Sequence, residues 1–216
     1  MQAMIRAVAF DLDGTLVDSA PDIAHALNAA LHEAGLPRVE LPQVRAWIGD
    51  GPDVLIERAL QALRPVGRPS LPQSLRQAFD RVTLQQPLVH GAVFDGITAL
   101  LQRLRPAWPL VVVTNKPSRL ARAVLDAAGV LPHFAAVHGA DVAAWRKPAP
   151  ALLQRAADEL GLAAHQLLMV GDSAADLGAA AAAGTPAAFA AWGYGAPTIA
   201  SRWRLAQPMD LLDILG

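Results

Sequence analysis

Two aspartates, Asp11 and Asp13, follow a short apolar run near the start of the chain. The run covers residues 8–10, and Gly14 and Thr15 come directly after the acids. An unpaired carboxylate at the end of a buried strand is costly, because burial removes its hydration. The pattern therefore predicts either that a cation lies beside these acids or that the acids themselves do chemistry.

Polar side chains also follow later apolar runs of the chain. In an open parallel sheet the carboxyl ends of the strands share one edge, and ligands bind there. We therefore expect four carboxylates, a hydroxyl, an amide and a lysine to lie together on that edge. These residues are Asp11, Asp13, Thr114, Asn115, Lys147, Asp172 and Asp176.

This set of side chains fits metal-assisted chemistry on a phosphate group. Converging carboxylates need a hard cation, and oxygen ligands favour Mg²⁺. A lysine, a threonine hydroxyl and backbone N–H groups at a helix start can cradle a phosphate. Asp11 beside bound phosphate would be a nucleophile, and Asp13 could protonate the leaving oxygen and later activate water. Gly14 allows a sharp backbone turn between them and the next residues.

Each of these residues also has a plainer interpretation. Asp11 and Asp13 alone could form a turn, a calcium loop or a nucleotide-sugar metal site, although a calcium loop needs more oxygen ligands than follow here. Lys147 could be a solvated lysine, and Asp176 a first-turn acid favoured by the helix dipole. Thr114 could be a routine strand-end hydroxyl.

The elements that must position these residues alternate between strands and helices. Further apolar runs at 110–113, 134–137, 167–170 and 187–190 are typical of strands covered on both faces. Helical patterns lie between them at 118–128, 150–160 and 174–183, and a glycine follows each closely. This alternation predicts an α/β fold, a Rossmann-like doubly wound parallel sheet.

A long insertion separates the first two strands of this predicted sheet. A crossover needs only about a dozen residues and one helix, whereas some ninety residues lie between positions 10 and 110. Helical spacing recurs in the insertion, which predicts an inserted α-helical cap domain over residues 17–90. The core then comprises residues 1–16 and 91–216, with its first helix at 97–104. Residues 64–70 are predicted to be a loop between cap helices.

Composition excludes several kinds of partner. The chain has 216 residues and a formal net charge of −1, with no long basic or acidic block, so we expect neither a nucleic-acid partner nor a membrane partner. It has no cysteine, which excludes thiolate metal sites and fits a reducing compartment. The first ten residues lack the pattern of a signal peptide. A cytoplasmic monomer or homodimer is expected.

The sequence resembles the haloacid dehalogenase superfamily of phosphohydrolases. Four motifs match in order: Asp11-Leu12-Asp13-Gly14-Thr15-Leu16, then Thr114-Asn115, then Lys147-Pro148, then Gly171-Asp172-Ser173 with Asp176. The resemblance spans nearly the whole chain. It implies a Rossmann-like core, a helical cap and Mg²⁺ held by Asp11, Asp172 and the backbone carbonyl of Asp13.

The same resemblance implies roles for the other motif residues. Lys147 and Thr114 would hold phosphoryl oxygens, and Gly14 and Asn115 would line the phosphate site. Asp176 would orient Lys147 or a metal-bound water, and Ser173 would be a further supporting residue. Within the superfamily the chain is most similar to the bacterial phosphoglycolate phosphatases, through segments 17–22, 47–51, 54–60 and 114–117.

The residues of the cap leave two interpretations open. The loop with Asp50 and Gly51 is either a plain helix start or a substrate loop that faces the core. Arg45 and Arg58 either bind a substrate carboxylate or lie at the surface. The expected partner is a small phosphorylated metabolite. Another substrate, such as a sugar or amino-sugar phosphate, a phosphosugar mutase, and a phospho-aspartate receiver-like module remain alternatives.

Overall fold

The centre of the molecule is a six-stranded parallel sheet. The computed structural model describes residues 4–63, 72–196 and 201–215. Its strands are β1 (Ala7–Phe10), β2 (Val17–Asp18), β3 (Ala92–Val93), β4 (Leu110–Thr114), β5 (Ala136–Gly139), β6 (Leu167–Gly171), β7 (Ala187–Ala190) and β8 (Trp203–Leu205). Their order in the large sheet is β5-β4-β1-β6-β7-β8, and every adjacent pair runs parallel.

Helices cover both faces of this sheet and build a further layer beside it. They are α1 (Ala20–Glu33), α2 (Leu41–Trp47), α3 (Pro52–Leu63), α4 (Gln73–Gln85), α5 (Ile97–Leu104), α6 (Ser118–Ala127), α7 (Ala151–Glu159), α8 (Ala174–Ala183) and α9 (Leu211–Leu215). This arrangement confirms the predicted doubly wound α/β fold. No helix within the described ranges is both long enough and apolar enough to cross a membrane.

Strand β1 lies between β4 and β6, so both of its edges and both of its faces are covered. Val8 pairs with Leu110 on one side and Leu168 on the other. Alternate side chains point to opposite faces: Val8 and Phe10 join the apolar cluster of α5 and α6, while Ala7 and Ala9 join that of α7 and α8. This full burial explains the unbroken apolar run, and it brings the chain to the sheet edge at Asp11.

The four helices α1 to α4, which we call the cap helices, share a separate apolar cluster. Its large side chains include Leu27, Leu31, Ile56 and Phe79. A two-stranded antiparallel sheet of β2 and β3 joins the cap helices to the large sheet. Leu120 of α6 also packs into the cap cluster, so apolar contact connects the cap helices with the edge of the sheet.

Asp22 fixes the point where the chain returns from the cap helices. Its two carboxylate oxygens accept hydrogen bonds from the backbone N–H groups of Val89, His90 and Gly91, at 2.7–2.9 Å. These are charge-assisted bonds, which are stronger than neutral ones. Asp22 therefore holds the two connections between the cap helices and the sheet together.

Several boundaries differ from those expected from sequence. The strand expected at 134–137 is observed two residues later, at Ala136–Gly139, because its ladder with β4 starts only where Val111 pairs with Ala136. Strand β8 was not predicted: it is a short edge strand of mixed character. Helix α2 was also missed, although a capping box between Glu40 and Gln43 marks its start. The loop predicted at 64–70 lies outside the described residues.

Candidate active site

Three buried carboxylates converge at the carboxyl ends of the central strands. Asp11 follows β1, Asp172 follows β6, and Asp176 lies in the first turn of α8. One carboxylate oxygen from each lies within 4.8 Å of the others, and all three side chains are buried. Oxygen ligands gathered in this way are the donor set that Mg²⁺ prefers.

Burial of these acids raises two of their pKa values. The pKa of Asp11 is raised from 3.8 to about 8, chiefly by burial and next by the charge of Asp176, even though Lys147 opposes the shift. The pKa of Asp172 is raised to about 6, again by burial and then by Asp176. Three carboxylates of this cluster lie beside one lysine, Lys147, which pairs with Asp11 and Asp176. A divalent cation held by Asp11 and Asp172 fits this excess of carboxylates.

Lys147 is the cation that the fold itself supplies to this cluster. Its Nζ lies 2.9 Å from Asp11 Oδ1, and it donates to Asp176 Oδ1 at 2.6 Å and to the carbonyl oxygen of Val113 at 2.8 Å. Burial alone lowers the pKa of Lys147, but the charges of Asp11 and Asp176 outweigh it, so the pKa is raised. Lys147 is therefore charged and fixed beside Asp11.

Asp176 is held from both sides, which makes it suited to position Lys147. Its second oxygen, Oδ2, accepts from the backbone N–H and the hydroxyl of Ser173, at 2.9 and 2.6 Å. Ser173 in turn caps α8, since its hydroxyl oxygen accepts from the Asp176 N–H. One reciprocal capping box therefore starts the helix and orients the acid that pairs with Lys147.

Asp13 is bound by a second lysine, which the sequence interpretation left without a role. Lys116 Nζ donates to both Asp13 oxygens, at 2.9 and 2.8 Å. The Ser19 hydroxyl donates to Asp13 Oδ1 at 2.5 Å. The position of Lys116, two residues after β4, was the one available signal. Each aspartate of the opening pair thus has its own lysine partner.

Gly14 is required by the close approach of Asp172 and Tyr194. It has a φ of +89°, and a Cβ at this position would lie 2.5 Å from Asp172 Oδ2 and 2.9 Å from the Tyr194 ring. Asp172 meanwhile accepts from the Thr15 hydroxyl at 3.0 Å and from the Tyr194 N–H at 2.8 Å. Tyr194, which no sequence pattern marked, therefore fixes one wall of the site.

Thr114 and Asn115 end strand β4 at the same edge. Thr114 Oγ1 accepts from the Lys116 N–H at 3.1 Å. Asn115 is buried, and its side chain donates to the carbonyl oxygens of Gly49 and Lys147 at 2.8 and 3.1 Å while accepting from the Lys147 N–H at 2.7 Å. Asn115 thus ties the cap loop to the backbone of Lys147.

Two small cavities lie between the cap helices and the sheet edge. The first, about 30 Å³, is lined by Asp11, Asp13 and Thr114 on the sheet side, and by Ile48 and Leu55 on the cap side. The second, about 90 Å³, is also lined by Asp11 and Asp13. Its other lining residues are Arg45, Ala46, Ile48, Gly49, Asp172, Ser173, Tyr194 and Gly195. The two aspartates therefore face both cavities.

The structure separates the cap residues that the sequence grouped together. Arg45 lines the second cavity and Gly51 the first. Arg58 instead pairs with Asp50, with Nη2 and Oδ2 2.5 Å apart, and donates to the Trp47 carbonyl oxygen at 2.8 Å. Asp50 and Arg58 are among the lining residues of neither cavity. Instead, the contacts of Arg58 with Asp50 and Trp47 stabilise the turn formed by residues 47–50.

The comparisons with known proteins agree with one another. A model of the haloacid dehalogenase-like hydrolase family matches residues 5–184. Proteins called phosphoglycolate phosphatase are similar along the chain. The one from Yersinia pseudotuberculosis is 40% identical over 217 residues, covering 98% of this chain and 94% of that protein. The one from Xanthomonas campestris (strain 8004) is 41% identical over 192 residues, covering 88% and 84%.

A solved structure is similar over the whole chain as well. It is the crystal structure of "a predicted phosphoglycolate phosphatase" from Haemophilus somnus 129PT, with a TM-score of 0.89 and 30% sequence identity. The alignment covers 98% of each chain. The likeness thus includes the cap helices and the sheet.

Proposed function

The chain belongs to the haloacid dehalogenase-like hydrolase family, and on this premise we propose that it is a Mg²⁺-dependent phosphatase that converts 2-phosphoglycolate and water to glycolate and phosphate. The observation that carries the proposal is the pair Asp11 and Asp13. Both face the same two cavities, and each is held by a different lysine. The phosphoglycolate phosphatases at about 40% identity support the choice of substrate.

The proposed reaction has two steps, with Asp11 as the nucleophile. A carboxylate oxygen of Asp11 attacks phosphorus, and the bond from phosphorus to the glycolate oxygen breaks as Asp13 gives that oxygen a proton. Asp13 then takes a proton from water, which attacks the phosphorus of the aspartyl-phosphate and releases phosphate and free Asp11. Lys147, 2.9 Å from Asp11, favours the ionised form that the attack needs.

The other residues at the sheet edge bind and orient in this scheme. Lys147 and the Thr114 hydroxyl would hold phosphoryl oxygens while their charge changes, and Asp176 would keep Lys147 in place. Gly14 would allow the sharp backbone turn beside the phosphate. Mg²⁺, held by Asp11, Asp172 and the Asp13 carbonyl oxygen, would offset the repulsion between the carboxylates and the phosphate dianion.

The cap helices would close the site against bulk water during the reaction. We propose that residues 17–90 form this cap domain and that residues 1–16 and 91–216 form the catalytic core. Two contacts hold the cap helices against the sheet edge in the arrangement that this proposal needs. Asn115 holds the Gly49 carbonyl oxygen at 2.8 Å, and Arg146, next to Lys147, pairs with Asp53 of α3 at 3.3 Å.

Asn115→Ala is expected to weaken both folding and substrate binding. It removes three hydrogen bonds and leaves backbone groups of Lys147 and Gly49 unpaired, which should lower the free energy of unfolding by about 1–3 kcal/mol. The Gly49 turn loses its tie to the sheet edge, so KM for 2-phosphoglycolate should rise severalfold. Urea denaturation and steady-state kinetics measure the two effects.

Asn28→Ala is the matched control for this variant. Asn28 makes a similar pair of bonds, to the N–H and carbonyl oxygen of Val39 at 2.8 and 3.0 Å, entirely within residues 17–90. It should therefore lower stability without changing KM. Equal KM values for Asn115→Ala and Asn28→Ala would show that the Asn115 contact to Gly49 is structural only.

The function is tested by phosphate release with Mg²⁺ across a substrate panel. The panel holds 2-phosphoglycolate, hexose 6-phosphates, β-glucose 1-phosphate, N-acetylmuramate 6-phosphate and pyrophosphate, compared by kcat/KM. We expect kcat/KM for 2-phosphoglycolate to exceed that of every other member at least tenfold. A flat or sugar-biased profile would keep the phosphatase mechanism and remove the glycolate substrate. No release from any member would contradict phosphatase function and favour the receiver-like alternative.

A free small metabolite is the proposed partner, in the cytoplasm, and the net charge of −1 and the lack of cysteine support this.

A further inference from the structure

We propose that Arg45 determines specificity by binding the carboxylate of the substrate, so that the enzyme selects small phosphate esters that carry an acid group. This inference rests on the proposed function and deepens it. It assigns to one cap side chain the part of substrate recognition that the phosphate-binding residues at the sheet edge do not supply.

The first argument is the charge around the second cavity. Three carboxylates line it, those of Asp11, Asp13 and Asp172, and Arg45 is the one basic residue among the described residues of its lining. A substrate with a phosphate dianion and a carboxylate adds more negative charge to an acidic site. The phosphate has Lys147 and the proposed Mg²⁺ as partners. A second anionic group in this cavity would have Arg45 as its basic partner.

Three other basic side chains of the sheet edge and the cap helices already have close acidic partners. Lys116 Nζ is 2.8 Å from Asp13 Oδ2 and its side chain is 7% exposed. Lys147 is buried between Asp11 and Asp176. Arg58 is committed to Asp50 and the Trp47 carbonyl oxygen. A further carboxylate therefore needs a basic residue whose N–H groups are not already bound closely to an acid.

The donors of Arg45 are largely open. Its Nη2 lies 3.4 Å from both oxygens of Asp18, which is long for a hydrogen bond. The side chain is 44% exposed, and an exposed ion pair of this kind contributes little. A guanidinium carries five N–H donors, and Nε and Nη1 make no hydrogen bond within the described ranges. Each parallel pair of donors in a guanidinium includes Nη2, so a substrate carboxylate bound by two hydrogen bonds would pair Nη2 with Nε or Nη1 and share or replace the long contact to Asp18.

Tyr194 holds the Arg45 guanidinium in a fixed place relative to the proposed metal site. The Arg45 Cζ lies 5.3 Å from the centre of the Tyr194 ring, a cation–π distance. Tyr194 is itself fixed at both ends: its N–H donates to Asp172 Oδ2, and its hydroxyl donates to Asp18 Oδ1 at 2.7 Å and accepts from the Ala20 N–H. The Arg45 guanidinium therefore packs over a ring whose own position is fixed by three hydrogen bonds.

Arg45 reaches this place from the cap side of the cavity. It lies in the last turn of α2, while Asp172 and Tyr194 belong to the sheet side. A substrate carboxylate bound to Arg45 would therefore join the two sides, with its phosphate held at Asp11. Binding of an acid-bearing ester should favour closure, whereas an ester without the acid loses that contribution. The cavity of about 90 Å³ is on the scale of a few water molecules, which suits a short acid group.

The test compares two substrates that differ in the acid group alone. They are 2-phosphoglycolate and 2-hydroxyethyl phosphate, in which a hydroxymethyl group replaces the carboxylate. Arg45→Met removes the charge and keeps an unbranched side chain, and it should lower kcat/KM for 2-phosphoglycolate about 10- to 100-fold, mainly through KM. The change with 2-hydroxyethyl phosphate should stay within about threefold. Arg45→Lys keeps the charge without the fork and should lie between.

Arg81→Met is the matched control. Arg81 is also an exposed arginine of the cap helices paired with an acid, Glu33, and it lines neither cavity. It should leave both substrates unchanged. Thermal melting of all variants checks that each is folded, which is expected because both arginine side chains are nearly half exposed.

The possible results separate this inference from the proposed function. Equal losses on the two substrates in Arg45→Met would overturn it and make Arg45 a general support of the closed cap. No loss on either would place the carboxylate elsewhere. A wild-type enzyme that hydrolyses 2-hydroxyethyl phosphate as well as 2-phosphoglycolate would overturn the proposed substrate, and the role of Arg45 with it. A loss of kcat/KM in Arg45→Met that is confined to 2-phosphoglycolate would support both the proposed function and the role of Arg45.

Discussion

Asp11→Asn is expected to abolish phosphate release and leave the chain folded. An amide cannot form the aspartyl-phosphate, so the route through Asp11 closes and kcat should fall at least about 10⁴-fold. The change is nearly isosteric, and an amide oxygen can still accept from Lys147, which lies 2.9 Å from Asp11 Oδ1. Circular dichroism should therefore match the wild type.

A trapping experiment tests the chemistry of this variant directly. Wild-type enzyme mixed with 2-phosphoglycolate labelled with ³²P and quenched in acid during turnover should carry label, and hydroxylamine should release it, as expected of an acyl phosphate. Asp11→Asn should carry none. Label retained by Asp11→Asn, or turnover above about 1% of wild type in a preparation that mass spectrometry shows to be free of deamidated protein, would place the nucleophile elsewhere.

The sheet could be predicted because each central strand is marked by its own residues and by those that directly follow it. The strands β1, β4 and β6 each pass through the middle of the core, so each is an unbroken apolar run, and each is followed directly by its polar residues. A strand at the edge of the sheet has a weaker sequence pattern. Strand β8 is covered on one edge only, and its sequence Trp203-Arg204-Leu205 shows no clear strand pattern.

The partners within the candidate site could be predicted only in part. Ser173 and Asp176 lie three residues apart at one helix start, so their mutual hydrogen bonds follow from the capping box. The pair of Asp13 and Lys116 joins residues 103 positions apart. It depends on β1 and β4 being neighbours and on the length of one lysine. The sequence predicted Asp13 at this edge of the sheet, but nothing local marked Lys116 as its partner.

The two cap arginines show the same limit. Arg45 and Arg58 are alike in type, both lie on helices, and nothing local distinguishes a ligand from a structural ion pair. Their difference arises from the packing of α2 against α3, which turns Arg58 toward the Trp47 carbonyl oxygen and leaves Arg45 over Tyr194. Tyr194 lies in the loop after β7, where no motif marked it.

Removal of Mg²⁺ is expected to abolish turnover and to expose an unusual dependence of stability on pH. Both Asp11, with a pKa of about 8, and Asp172, with a pKa of about 6, hold protons in the metal-free folded state at pH values where the unfolded chain has released them. The folded state then binds more protons than the unfolded state, so stability falls as pH rises from about 4 to about 8. The raised pKa of Lys147 adds no slope in this window, because that lysine is protonated in both states.

Mg²⁺ should reverse this trend, because it binds the carboxylates in their ionised form and must displace their protons. The rise in Tm on adding Mg²⁺ should therefore be larger at pH 8 than at pH 5.5. Melting curves in EDTA and in Mg²⁺, matched in ionic strength with NaCl, measure it. Asp172→Asn is the control variant and should lose most of the shift. A Mg²⁺ shift that does not grow with pH, or that survives in Asp172→Asn, would show that the ion binds somewhere other than at Asp11 and Asp172.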